Sequence, residues 1–132
     1  MKMFGKKLPD AELEIMKIIW HEKEPVSTGE IKALTDSKTD NVWTQQTIQS
    51  LVNRLISKKF LEKHKRGREY IYTPLIAEKD YIDYESAEFL KKMHGNSVTN
   101  LMRALLDTRK ISDNDIQELE EMFRQKGNSE DD

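Results

Sequence analysis

Asn41-Val42-Trp43-Thr44-Gln45-Gln46-Thr47-Ile48-Gln49-Ser50-Leu51-Val52-Asn53-Arg54-Leu55-Ile56-Ser57-Lys58-Lys59 is the stretch on which the reading of this chain turns. Ile48, Leu51, Val52, Leu55 and Ile56 recur at i, i+3, i+4, i+7 and i+8, which predicts one amphipathic helix over about Thr44–Lys59 with a single core-facing stripe. Thr44 suits the N-cap. The opposite face carries Gln46, Gln49, Ser50, Asn53 and Ser57, with Thr47 and Arg54 at one edge. No Asp or Glu occurs in the 21 positions between Asp40 and Glu62, although acids make up 24 of the 132 residues. A surface that meets phosphate needs that absence, because each carboxylate would repel the ligand. The neutral amides and hydroxyls suit base edges, and Gln or Asn pairs bidentately with adenine.

Beyond this helix the period changes. Phe60–Lys65 and Glu69–Thr73 flank Arg66-Gly67-Arg68, and the strand formers Tyr70, Ile71, Tyr72 and Thr73 precede Pro74, so a β-hairpin is expected. From Lys58 to Arg68 there are six basic residues against one acid. Lys63, Lys65, Arg66 and Arg68 are candidate phosphate contacts on this hairpin, with Thr44 and Arg54 at the helix ends.

Ahead of the decisive stretch, Pro9 and Asp10 open a helix running to about His21, apolar around much of its circumference and therefore central. Ser27 and Glu30 form a capping-box pattern, with Val26 and Ile31 as its staple, and start a short second helix. Three helices followed by a hairpin is the order of a winged helix-turn-helix. After Pro74 three more amphipathic helices are expected. One stops at Gly95-Asn96, one is built on Val98, Leu101, Met102, Leu105 and Leu106, and one is capped by Ser112 with Ile116, Leu119, Met122 and Phe123 on its apolar side. The chain therefore reads as mainly α with a small hairpin: a winged-helix DNA-binding domain over 1–75, a helical dimerisation domain over 76–126 and a disordered tail over 127–132. Three narrow stripes bury too little alone, so a homodimer is expected, with Tyr81, Tyr84, Phe89, Leu101, Leu105, Ile116, Leu119 and Phe123 at its interface. Two-fold symmetry in a DNA reader implies a palindromic operator.

Composition excludes several classes. Without cysteine there are no disulfides, thiolate metal sites or cysteine nucleophiles. His21, His64 and His94 are scattered, so no metal or cofactor is expected. Acids such as Glu12 and Glu14 read as solvated helix faces, and no catalytic motif appears, so an enzyme is not expected. No apolar run reaches the length of a membrane span, which points to a cytosolic protein without membrane insertion. The net charge of −2 conceals a split: residues 1–75 carry 14 basic and 10 acidic residues, residues 76–132 carry 8 and 14. Phosphate responds to the local field, so the acidic total does not oppose DNA binding.

The run Leu8-Pro9-Asp10-Ala11-Glu12-Leu13-Glu14-Ile15-Met16-Lys17-Ile18-Ile19-Trp20 resembles the opening of the penicillinase and methicillin-resistance repressors. So do Val42–Leu55, with its Trp-Thr-x-x-Thr-Ile core, and the ending Tyr70-Ile71-Tyr72-Thr73-Pro74-Leu75. The resemblance implies a dimeric winged-helix repressor acting with a membrane sensor-protease on β-lactamase or penicillin-binding-protein operons. It implies that Trp43 and Thr44 open the recognition helix, that Gln46, Thr47, Gln49 and Ser50 face the groove, and that Arg54 meets backbone; Gln45 and Asn53 on the same helix are further candidate DNA contacts. Two departures stand out. Copper-responsive cousins, which share the N-terminal half, end in a Cys-x-Cys motif absent here. The Asn-Phe bond at which β-lactam-responsive relatives are cut is replaced by Ala104-Leu105. A regulator answering a copper-type signal and a protein-docking winged helix are the alternative readings.

Overall fold

The computed structural model describes residues 7–130, with side chains through 128. Its elements are α1 (Asp10–Trp20), β1 (Val26–Ser27), α2 (Thr28–Lys38), α3 (Gln45–Ser57), β2 (Leu61–Arg66), β3 (Glu69–Pro74), α4 (Glu78–His94), α5 (Val98–Asp107) and α6 (Asp113–Glu130). The chain divides into two compact units, one reaching Glu85 and the other beginning at Ser86.

In the first unit the expected caps form. The Ser27 side chain accepts from the Glu30 amide while the Glu30 carboxylate accepts from the Ser27 amide, which starts α2. Thr44 accepts from the Thr47 amide and starts α3. Helix α3 ends in a Schellman arrangement: the Phe60 amide donates to Leu55, the Lys59 amide donates to Ile56, and Lys59 itself sits at φ 68°. That exit throws the chain straight into β2. Strands β2 and β3 pair antiparallel from Leu61 opposite Pro74 to Arg66 opposite Glu69, and Gly67 takes φ 65° at the turn.

The sheet has three strands rather than two. Val26 and Ser27, expected only as staple and cap, also pair with Tyr72 and Ile71, giving the order β1-β3-β2. Two residues carry no period, so only the distant partner strand defines β1. The sheet closes one side of a core in which Ile15, Met16, Ile31, Ile48, Val52, Leu55 and Tyr72 are buried.

The first unit does not end at residue 75. Tyr81, expected at a dimer interface, is fully buried in this core. Its ring meets Phe60 edge-on at 5.4 Å, and its hydroxyl accepts from the Leu8 amide at 2.6 Å. Burial pushes its phenol well above the usual range, with a hydrogen bond to Glu85 adding to the rise. Tyr84 packs against the same core. The Trp20 indole donates to the Ile76 carbonyl at 2.8 Å, which ties down the entry to α4. Tyr81 and Tyr84 therefore stabilise the winged helix. A helix spanning a boundary carries one continuous stripe of which only the first end meets this core, and periodicity cannot tell the two ends apart.

Glu12 is a second departure. It is 3% exposed rather than solvated, and Lys58 donates to its carboxylate at 2.5 Å. A buried carboxylate needs such a partner. Lys58, part of the basic run, is committed to this pair.

In the second unit, Ser97 caps α5 and accepts from Asn100, while Ser112 and Asp115 cap α6 reciprocally. Helix α4 ends on Gly95 and Asn96, both at positive φ. The expected tail is helical instead as far as Glu130, because no proline or left-handed residue interrupts α6. Asp131 and Asp132 lie outside the described residues. No residue from 86 to 128 is buried, and Phe89, Met93, Met122 and Phe123 are each at least half exposed.

Candidate nucleic-acid interface

Helix α3 turns Ile48, Leu51, Val52 and Leu55 into the core. The 3.6-residue repeat then leaves Gln45, Gln46, Thr47, Ser50, Asn53, Arg54 and Ser57 exposed. These seven side chains hold no carboxylate and one cation. Arg54 has no ion pair among the described residues, and neither has Arg68 at the turn. Thr47 is held by Thr44, whose hydroxyl donates to its oxygen at 3.0 Å.

Three expected contact residues are placed differently. Trp43 is half-buried against the core, and its carbonyl accepts from the Lys32 ammonium at 3.0 Å, so it anchors the start of α3. Gln49 is half-buried and its amide is fully engaged. It accepts from the Thr28 hydroxyl at 2.7 Å and donates to the Asn53 side-chain oxygen at 3.0 Å and the Tyr72 hydroxyl at 3.2 Å. Arg66 donates to Glu30 at 2.8 Å and to Glu69 at 3.3 Å, fastening the wing tip to the start of α2. Its guanidinium gains basicity from both carboxylates, Glu30 first. The Ser27 amide and then Arg66 hold the Glu30 carboxyl below its ordinary value. Thr28 and Tyr72 lie 21 and 23 residues from Gln49, and Glu30 lies 36 from Arg66, beyond the reach of helical periodicity.

On the wing, the Lys63 and Lys65 ammoniums lie 4.7 and 5.3 Å from the centroid of the Tyr70 ring. The ring holds both cations while they stay exposed. Lys63, Lys65 and Arg68 are exposed and face no carboxylate partner among the described residues. An acid-free helix face beside an ordered basic wing can accept a polyanion with base edges.

The penicillinase repressor family model matches residues 8–125. The penicillinase repressor of Bacillus licheniformis is 36% identical over 126 residues, covering 93% of this chain and 96% of the relative. A solution structure of the monomeric form of Bacillus licheniformis BlaI in complex with the blaP half-operator is 41% identical and covers 58% of this chain and 89% of that one, at a TM-score of 0.48. The crystal structure of MepR, a transcription regulator of the Staphylococcus aureus multidrug efflux pump MepA, matches 93% of this chain and 80% of its own at TM-score 0.54 and 10% identity, a likeness of fold alone.

Proposed function

The chain belongs to the penicillinase repressor family of transcriptional repressors, and from that premise we propose that it binds an inverted-repeat operator in double-stranded DNA as a homodimer. The observation that carries this is the exposed face of α3: seven outward side chains without one carboxylate, next to a wing whose Lys63, Lys65 and Arg68 are unneutralised. Gln45, Gln46, Thr47, Ser50 and Asn53 face the bases, while Thr44, Arg54 and the three wing cations meet phosphates. Operator binding puts the chain in the cytoplasm, where the DNA is.

The second unit supports the dimer. It forms three capped helices yet encloses no buried side chain among its described residues, so Phe89, Leu101, Leu105, Ile116, Leu119 and Phe123 need a second copy to cover them. The regulated genes, on this reading, are of the β-lactam-resistance type, with release by a membrane sensor-protease. Ala104-Leu105 is the bond at the family's cleavage position. It lies inside α5, where the Ala104 carbonyl accepts from the Thr108 hydroxyl at 2.9 Å, so scission requires α5 to open locally.

Gel shift against the chain's own promoter tests the DNA reading. Alanine at Lys65 or Arg68 should weaken binding to all sequences alike, and alanine at Gln46 should change sequence preference on the order of tenfold. Tight binding indifferent to all three changes removes α3 and the wing as the interface.

A further inference from the structure

The donors and acceptors around Gln49 form a closed circuit. The Thr28 hydroxyl donates to Gln49 Oε1 at 2.7 Å, Gln49 Nε2 donates to the Tyr72 hydroxyl at 3.2 Å, and the Tyr72 and Thr28 oxygens lie 3.4 Å apart. Tyr72 is 3% exposed and Thr28 9%, so the circuit is sheltered from water. With the Thr28 proton directed at Gln49, the Tyr72 proton closes the ring toward Thr28. The ring leaves Gln49 one further N–H, and Asn53 Oδ1 accepts it at 3.0 Å. Gln49 has then used both protons, and the Asn53 oxygen is turned toward the protein. The Asn53 side chain has two amide protons left and faces outward on α3.

On the reading that α3 lies in the major groove, we propose that Asn53 is a specificity-determining residue that presents only donors to the DNA, and that Gln49 is the positioning residue that fixes this polarity without touching a base. An unrestrained Asn reads adenine by offering donor and acceptor together. An Asn whose oxygen is turned toward Gln49 aims only its amino group outward and loses that option. It selects base edges rich in acceptors, guanine O6 and N7 or thymine O4, over the amino groups of cytosine and adenine. Thr28 and Tyr72, on α2 and the wing strand, thereby take part in base choice from behind the helix.

The prediction distinguishes a positioning role from simple packing, because reversing the hydrogen-bond polarity at position 49 should reverse base preference. Gln49→Glu removes the donor aimed at Asn53 Oδ1. The new carboxylate still accepts from Thr28 and now accepts from Tyr72 as well, whose proton swings from Thr28 toward it, and it draws the Asn53 amide protons inward and turns the Asn53 oxygen outward. The experiment selects a randomised duplex library with the full-length chain and its variants, then measures affinities for the four base pairs at each selected position.

Asn53→Ala should level the preference at one base-pair position. Gln49→Glu should invert it at that same position, toward adenine or cytosine, by on the order of tenfold and leave other positions unchanged. In the Asn53→Ala background Gln49→Glu should change no preference. Tyr72→Phe, which keeps the ring's shape, should weaken the preference at that position alone. A preference that Gln49→Glu alters even without Asn53 means that Gln49 contacts DNA itself, and overturns the proposal. So does an Asn53→Ala variant that loses affinity evenly for all sequences, since Asn53 then meets only phosphate. If the unaltered chain enriches no sequence, the DNA reading falls and this inference with it.

Discussion

The two units are built to opposite rules. The first encloses side chains from three helices, three strands and the start of α4, and buries Tyr81 completely. The second has comparably well-capped helices and buries nothing among its described residues. Caps and periodicity specify a helix, whereas a core requires facing stripes that meet within one chain. The first unit has such partners within the chain, the described residues of the second do not, and on the proposed reading a second copy covers them. Folding of the first unit should therefore be a property of the molecule, and folding of the second a property of concentration.

The largest effects should sharpen that contrast. Ile15→Ala empties a fully buried site in the first unit and should cost ~2–5 kcal/mol at every protein concentration, read by denaturant unfolding. Leu105→Asp in α5 should convert the dimer to monomers in analytical ultracentrifugation while leaving the first unit folded by circular dichroism. A Leu105→Asp variant that stays dimeric breaks the comparison. Next comes Tyr81→Phe, which deprives the buried Leu8 amide of its acceptor and should cost ~1–3 kcal/mol in the first unit without changing oligomeric state. An altered dimer constant there would return Tyr81 to the interface.

Two smaller effects follow from local geometry. Lys59 occupies a left-handed position at the end of α3, so Lys59→Gly should stabilise the first unit by ~0.5–1 kcal/mol in thermal unfolding. The Glu30 carboxyl is lowered from 4.5, first by the Ser27 amide and then by Arg66. Its contribution is therefore present above pH 4.5 and lost as pH falls through the folded value. Glu30→Gln should flatten the acid limb of the stability profile slightly, and an unchanged limb would show that the wing-tip latch adds nothing.

Much of the first unit was legible because its signals are local. The stripe from Ile48 to Ile56, the Ser27–Glu30 box and the Gly67 turn each declare themselves within a few residues. What escaped depends on partners far along the chain. Val26 becomes a strand only against Tyr72, Glu12 is buried only because Lys58 reaches it, and Gln49 turns inward only because Thr28 and Tyr72 are waiting. The exposed polar face of α3 is thus legible in the sequence as a whole, while the inward turn of Gln49 is not. Tyr81 was misplaced for a related reason: α4 crosses from one unit to the other, and its stripe carries no mark of the crossing.

On the proposed function, the acid-free face of α3 and the basic wing meet bases and phosphates together. The salt dependence of affinity for the promoter duplex tests it most directly, measured by fluorescence anisotropy on the full chain and on Lys65→Ala, Arg68→Ala and Gln46→Ala. Log K should fall steeply and linearly with log salt. The slope should flatten by about one for each wing cation removed and stay unchanged for Gln46→Ala, which shifts preference only. A slope that Lys65→Ala and Arg68→Ala leave untouched, with affinity intact, would contradict it.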